Sequence, residues 1–107
     1  MAYKVGPDRR RHILDGDRTG GGHRHGAGWP GKSEFPAGWD DGAIIGAVEA
    51  VANDPASEVR PAPRGRVAIT GTHRGLRVMV VAEADGATVV TGYPLDVPRN
   101  PRGSDPR

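Results

Sequence analysis

Leu76-Arg-Val-Met-Val-Val-Ala-Glu-Ala-Asp85-Gly86-Ala-Thr-Val-Val-Thr-Gly-Tyr93 is the stretch on which the fold turns. Two runs of apolar and β-branched residues flank Asp85-Gly86, a pair suited to the positive φ angles of a two-residue hairpin turn. Strands are expected at Leu76 to Ala84 and at Thr88 to Tyr93. With Asp85 and Gly86 as the turn, Ala84 faces Ala87, Val80 faces Thr91 and Val78 faces Tyr93. Leu76, Val78, Val80 and Ala82 then share one face. Met79 and Val81 are apolar as well, so this strand is expected to be covered on both sides, by a helix and by the amino-terminal loop.

Working outward, Arg66 to Thr70 reads as a further strand, joined to Leu76 through the loop Gly71-Thr72-His73-Arg74-Gly75. Ala56 to Arg64, with its prolines, serine and charges, reads as a linker inside the domain. Before it, Asp40 and Asp41 offer capping oxygens to a helix from Gly42 to Asn53, on which Ile44, Val48, Val51 and Ala52 share one face and which Pro55 stops. Gly26 to Trp39 is an ordered loop anchored by Trp29, Phe35 and Trp39. The fold class is therefore α+β: an amino-terminal helical or loop region and a central helix packed on a small antiparallel sheet.

The chain has 107 residues, enough for one core. Apolar residues are sparse before Ile44 and dense from there to Tyr93, so the first forty residues or so drape over a core made later. Residues 1–11 and 102–107 read as flexible tails around a domain at 12–101. The net charge is only +2, so any contact with nucleic acid must be local. Thirteen of the fifteen cations are arginine, whose fork suits phosphate oxygens, although a GC-rich genome gives the same bias. The absence of cysteine excludes disulfides, a thiolate nucleophile and a cysteine zinc site. No apolar run approaches the roughly 20 residues that span a bilayer. Met1 to Arg11 lacks the apolar stretch of a signal peptide, so any export is expected to depend on sequence outside this chain.

Four histidines, His12, His23, His25 and His73, are the groups best placed to move protons near neutral pH. His23 and His25 border Gly20-Gly21-Gly22, whose amides can approach an anion closely or simply form a turn. Cleaving RNA through its own 2′-hydroxyl needs one base and one acid across the phosphate, and two histidines suffice. The rival is a metal-dependent phosphodiesterase with His23 and His25 near Asp15 and Asp17, although side chains at i and i+2 of an extended segment point apart. Structural histidines are the third reading. Residue chemistry leaves all three open.

Four phrases then occur in order: His12-Ile-Leu-Asp-Gly-Asp, Gly20-Gly-Gly-His23-Arg-His-Gly, Gly31-Lys32-Ser-Glu-Phe-Pro, and Val90-Thr91-Gly92-Tyr93-Pro94. Together they resemble the bacterial EndoU nuclease domain over His12 to Pro101. The resemblance implies cleavage of single-stranded RNA at uridines to a 2′,3′-cyclic phosphate, without metal or other cofactor. It makes His12 and His23 the acid–base pair, either with His23 as the base or with the two roles exchanged. Lys32 steadies the phosphate; Arg64, Arg66 or Arg74 could substitute. Thr91 and Tyr93 line the base pocket, on the same side of their strand. The alternative is a noncatalytic RNA-binding or interaction module of the same fold. His25 is expected at the surface or behind the site, and His73 exposed in a hairpin loop. Such domains are commonly the carboxy-terminal parts of secreted or contact-delivered toxins that act in the target-cell cytoplasm and are countered by an immunity protein. This chain is expected to do the same.

Overall fold

In the computed structural model, which describes residues 2–101, Asp40 caps the central helix: its carboxylate accepts from the Ala43 amide at 2.8 Å. This helix, α2, runs over Asp41–Asn53 and buries Ile44, Ile45, Ala47, Val48, Val51 and Ala52. A shorter helix, α1, spans Pro7–Asp15. Strands β1 (Glu58–Pro61), β2 (Val67–His73), β3 (Leu76–Ala82) and β4 (Val89–Pro94) follow in one antiparallel sheet, ordered as in the chain. The class is α+β.

Val78, Val80, Ala82 and Ile69 meet the apolar face of α2, and this layer is the core. Helix α2 packs across β2 and β3, whereas α1 packs chiefly on β4. Met79 and Val81 consequently remain half-buried, so the cover expected on both faces of β3 is complete on one only.

The hairpin keeps its turn: Asp85 accepts from the amides of Ala87 and Thr88 and from the Thr88 hydroxyl. Its register departs from expectation. Ala82 faces Val89, as two-residue counting requires, but a bulge at Val81/Ala82 then shifts the pairing by one, placing Val81 opposite Thr91 and Met79 opposite Tyr93. An extra residue on one strand leaves no composition signal, and it turns Thr91 and Tyr93 to the face away from α2.

Three other expectations need correction. Ala56 to Arg64 is not only a linker: Glu58–Pro61 pairs with Val67–Thr70 as the edge strand β1, all of it exposed and so without apolar alternation. Strand β2 continues to His73, with Arg74 and Gly75 alone forming the turn at positive φ. Residues 3–11 are not a tail. The Tyr3 amide donates to Asn53, the Val5 amide to Glu49, Lys4 bridges to Thr88, and helix α1 begins at Pro7. Backbone pairing holds this polar segment, so sparse apolar content misleads. Met1 and the expected tail at 102–107 lie outside the described residues.

Candidate active site

A helix ends with several carbonyls that have no partner in the next turn. At the end of α1 the glycine segment supplies the donors. The Gly22 amide donates to His12 O at 2.9 Å, the His23 amide to Ile13 O at 2.7 Å and the Arg24 amide to Leu14 O at 3.1 Å. His12 lies in the last turn of α1, so this zipper brings His12 and His23, eleven positions apart, to the same place. On its far side His23 is held by the Phe35 amide, which donates to His23 O at 2.8 Å. Arg24 ties the zipper down by forking onto Asp41 at 2.8 and 2.9 Å and by pairing with Asp15.

His12, His23, Lys32, Thr91 and Tyr93 all line one cleft of about 270 Å³, together with Thr19, Gly20, Gly21, Gly31, Ser33 and Arg99. All five residues singled out in the sequence are brought together. Both imidazoles are 5% exposed, which leaves little more than their cleft-facing edges accessible. His12 Nδ1 lies 3.1 Å from Asp17 Oδ2, and Asp17 also accepts from the Thr19 amide and hydroxyl at 2.8 and 2.5 Å. These Thr19 hydrogen bonds, with that from His12, hold the Asp17 carboxyl far below the usual range, so it stays ionised. An ionised carboxylate only accepts, hence the His12 proton sits on Nδ1.

His23 Nδ1 lies 2.6 Å from the Ser33 carbonyl, which likewise can only accept, so Nδ1 carries the proton and Nε2 keeps its lone pair when the ring is neutral. The ring stacks on Tyr93 with centroids 5.4 Å apart. Burial pushes its pKa below 6.5. The Ser33 hydrogen bond opposes that shift, and the charges of Lys32 and His12 add to it. His23 is therefore neutral at pH 7. Lys32 is half-buried and makes no ion pair among the described residues. Among the described residues Thr91 Oγ1, buried in the cleft wall, has no hydrogen-bond partner, an arrangement that costs about 1–3 kcal/mol in a protein interior.

A stability prediction follows from the depressed His23 value. The unfolded chain takes up this proton near pH 6.5, before the folded one does. The contribution is whole above that pH and is lost as pH falls through the lower folded value. Urea unfolding at about pH 7.5 and about pH 5 should show the wild type losing more stability on acidification than His23→Ala. Equal losses would contradict the buried neutral ring.

His25 and His73 stand apart from the cleft. His25 is exposed beside Trp39 at the start of α2, as expected of a surface residue. It lines a different concavity from His23. Among the described residues no three His, Cys, Asp or Glu side chains gather closely enough to hold a metal ion. His73 is not in an exposed loop: it ends β2 half-buried, its ring edge-on to Trp39 with centroids 6.4 Å apart. Arg74 lies 5.8 Å over the same indole, which accounts for that arginine. Arg64 and Arg66 lie on the β1–β2 connection and, like Arg74, do not line the cleft.

Thr19 and Arg99 were missed in the sequence, and Asp17, named there only as a candidate metal ligand, instead holds the His12 ring. Asp17 and Thr19 form an Asp-x-Thr turn after α1, a local signal that was legible. Arg99 carried none, because its place depends on the chain returning beyond β4.

Helix, sheet and cleft define a small α+β protein with two imidazoles and an ammonium group around one concavity. The family model described as bacterial EndoU nuclease matches residues 27–96, about two thirds of the chain, and the chain belongs to that family of nucleases. The matched segment contains Lys32, Thr91 and Tyr93 and begins after His12 and His23. No curated protein and no solved structure was found to match. No described helix is long and apolar enough to cross a membrane.

Proposed function

We propose that the chain is an endoribonuclease that cuts single-stranded RNA at uridines without a metal. His23 Nε2 takes the proton of the ribose 2′-hydroxyl, whose oxygen bonds to the adjacent phosphorus. The bond from phosphorus to the 5′-oxygen breaks, and His12 returns a proton to that oxygen, leaving a 2′,3′-cyclic phosphate and a 5′-hydroxyl. The observation that carries this reading is the convergence of His12, His23 and Lys32 with Thr91 and Tyr93 on one cleft.

The roles follow from the partners. A neutral ring with a free lone pair is the form in which a base enters the cycle, which describes His23. The remaining imidazole of the cleft, His12, is oriented by Asp17 at 3.1 Å from its Nδ1 and is left the part of general acid. Lys32 offers a positive charge to the phosphate as negative charge accumulates. The unpartnered Thr91 hydroxyl supplies a hydrogen bond to the uracil edge, and Tyr93 a ring to pack on the ribose or base.

The test is a uridine-containing oligonucleotide incubated with protein in excess chelator. Expected are cyclic-phosphate ends that disappear in His12→Ala and His23→Ala. Cleavage abolished by chelator alone would point to a metal-dependent hydrolase, and binding without cleavage to a noncatalytic module. Asp17 serves as a positioning residue: Asp17→Asn should lower kcat on the order of 10- to 100-fold with KM little changed, since the ring loses its orienting carboxylate.

By family analogy we further assign the domain to an antibacterial toxin, secreted or delivered as part of a longer protein and neutralised by a cognate immunity protein. Expression in a bacterial cytoplasm should arrest growth, and His23→Ala should abolish the arrest.

A further inference from the structure

Beyond β4 the chain doubles back onto the loop that carries Lys32, outside the segment matched to the family. The Asn100 amide donates to Lys32 O at 2.8 Å and the Gly31 amide to Asn100 O at 3.0 Å, while Arg99 faces Ser33 in an isolated antiparallel bridge. The Asn100 side chain adds bonds to Trp29 O at 2.9 Å and to Glu34 Oε2 at 2.8 Å. Glu34 in turn accepts from the amides of Gly26 and Gly28. A short strap is thus fastened to both sides of the Lys32 loop.

Arg99 is the residue this strap delivers to the cleft. Its side chain is exposed on the cleft lip and has no ion pair or hydrogen bond among the described residues. Holding a guanidinium on the same cleft as the Lys32 ammonium is electrostatically unfavourable unless an anion joins them. The two cations are not equivalent. Lys32 reaches the glycine segment on the floor of the site, its Nζ 3.4 Å from where a β-carbon on Gly20 would stand, whereas Arg99 is exposed.

Building on the ribonuclease reading, we propose that Arg99 binds the RNA backbone phosphate next to the scissile one, giving the cleft a second phosphate subsite. A planar fork is suited to two phosphate oxygens, and its fixed main chain keeps the cost of ordering it low. With a net charge of only +2, a chain of this kind depends on such placed cations to hold a strand.

The experiment compares a uridine dinucleotide, which has one phosphate, with a tetranucleotide carrying phosphates on both sides of the same cleavage step. Arg99→Ala should lower kcat/KM roughly tenfold on the tetranucleotide, the worth of one charge-assisted contact, and leave the dinucleotide within about twofold. Equal losses on both substrates, or none on either, would overturn the subsite. If the wild type cuts neither substrate, the ribonuclease reading fails by itself, and the subsite is decided by binding to a single-stranded deoxyuridine oligonucleotide. There the slope of log affinity against log salt should be shallower by about 0.7 in Arg99→Ala, the share of one single-strand phosphate contact. Identical slopes would refute the proposal.

Discussion

His23→Ala should slow uridine cleavage by about 10²- to 10⁴-fold at neutral pH, the usual worth of a general base. The pH profile makes the result specific. A base must be unprotonated, so wild-type kcat/KM should rise with pH through the His23 value, which burial places below 6.5. The acidic limb should therefore lie below pH 6.5 in the wild type and be absent from the residual activity of the variant. Persistence of that limb in His23→Ala would assign it to another group. Because the ring is 5% exposed and stacked on Tyr93, its removal also leaves a void. Thermal unfolding should accompany the kinetics, so that a rate measured on folded protein is the one compared.

Gly21→Ala should be the most damaging single change in the glycine segment. Gly21 has φ +80°, and a β-carbon there would fall 2.0 Å from His12 O and 3.0 Å from His12 Cδ2. The obstacle is backbone, so it cannot be relieved by a rotamer change. The loop must lift off the end of α1, which breaks the bonds from Gly22 to His12 and from His23 to Ile13. The expected cost is about 3–5 kcal/mol, with cleavage falling at least about 100-fold as the two imidazoles separate. Gly26→Ala is the control: φ is +89° there, but nothing lies within 4 Å of its β-carbon, so only the backbone strain of about 1–2 kcal/mol is incurred. Similar melting temperatures for the two variants would mean that the zipper to α1 does not hold the site together.

Local chemistry made part of this molecule legible. Asp40 before an apolar 3.6-residue repeat marks a helix because the cap and the face are both short-range properties, and Asp85-Gly86 marks a turn for the same reason. Strand β1 escaped because its pairing is made by backbone groups while its side chains stay in water. The beginning of α1 escaped likewise: Pro7 to Arg11 is polar, and it is held by bonds to Asn53, Glu49 and the start of β4 through the residues before it. The bulge beside Ala82 altered the register without altering any residue that a pattern could read.

The site divides along the same line. Which groups were available for proton transfer and anion binding was settled by composition and order: imidazoles at 12 and 23, an amine at 32, and a threonine and a tyrosine two apart on a strand. That they meet was decided by folding. The carbonyls at the end of α1 took amide donors from Gly22, His23 and Arg24, and the strap after β4 added Arg99 to the rim. Main-chain hydrogen bonds between distant segments have no side-chain signature. Their geometry exists only once the segments are packed together.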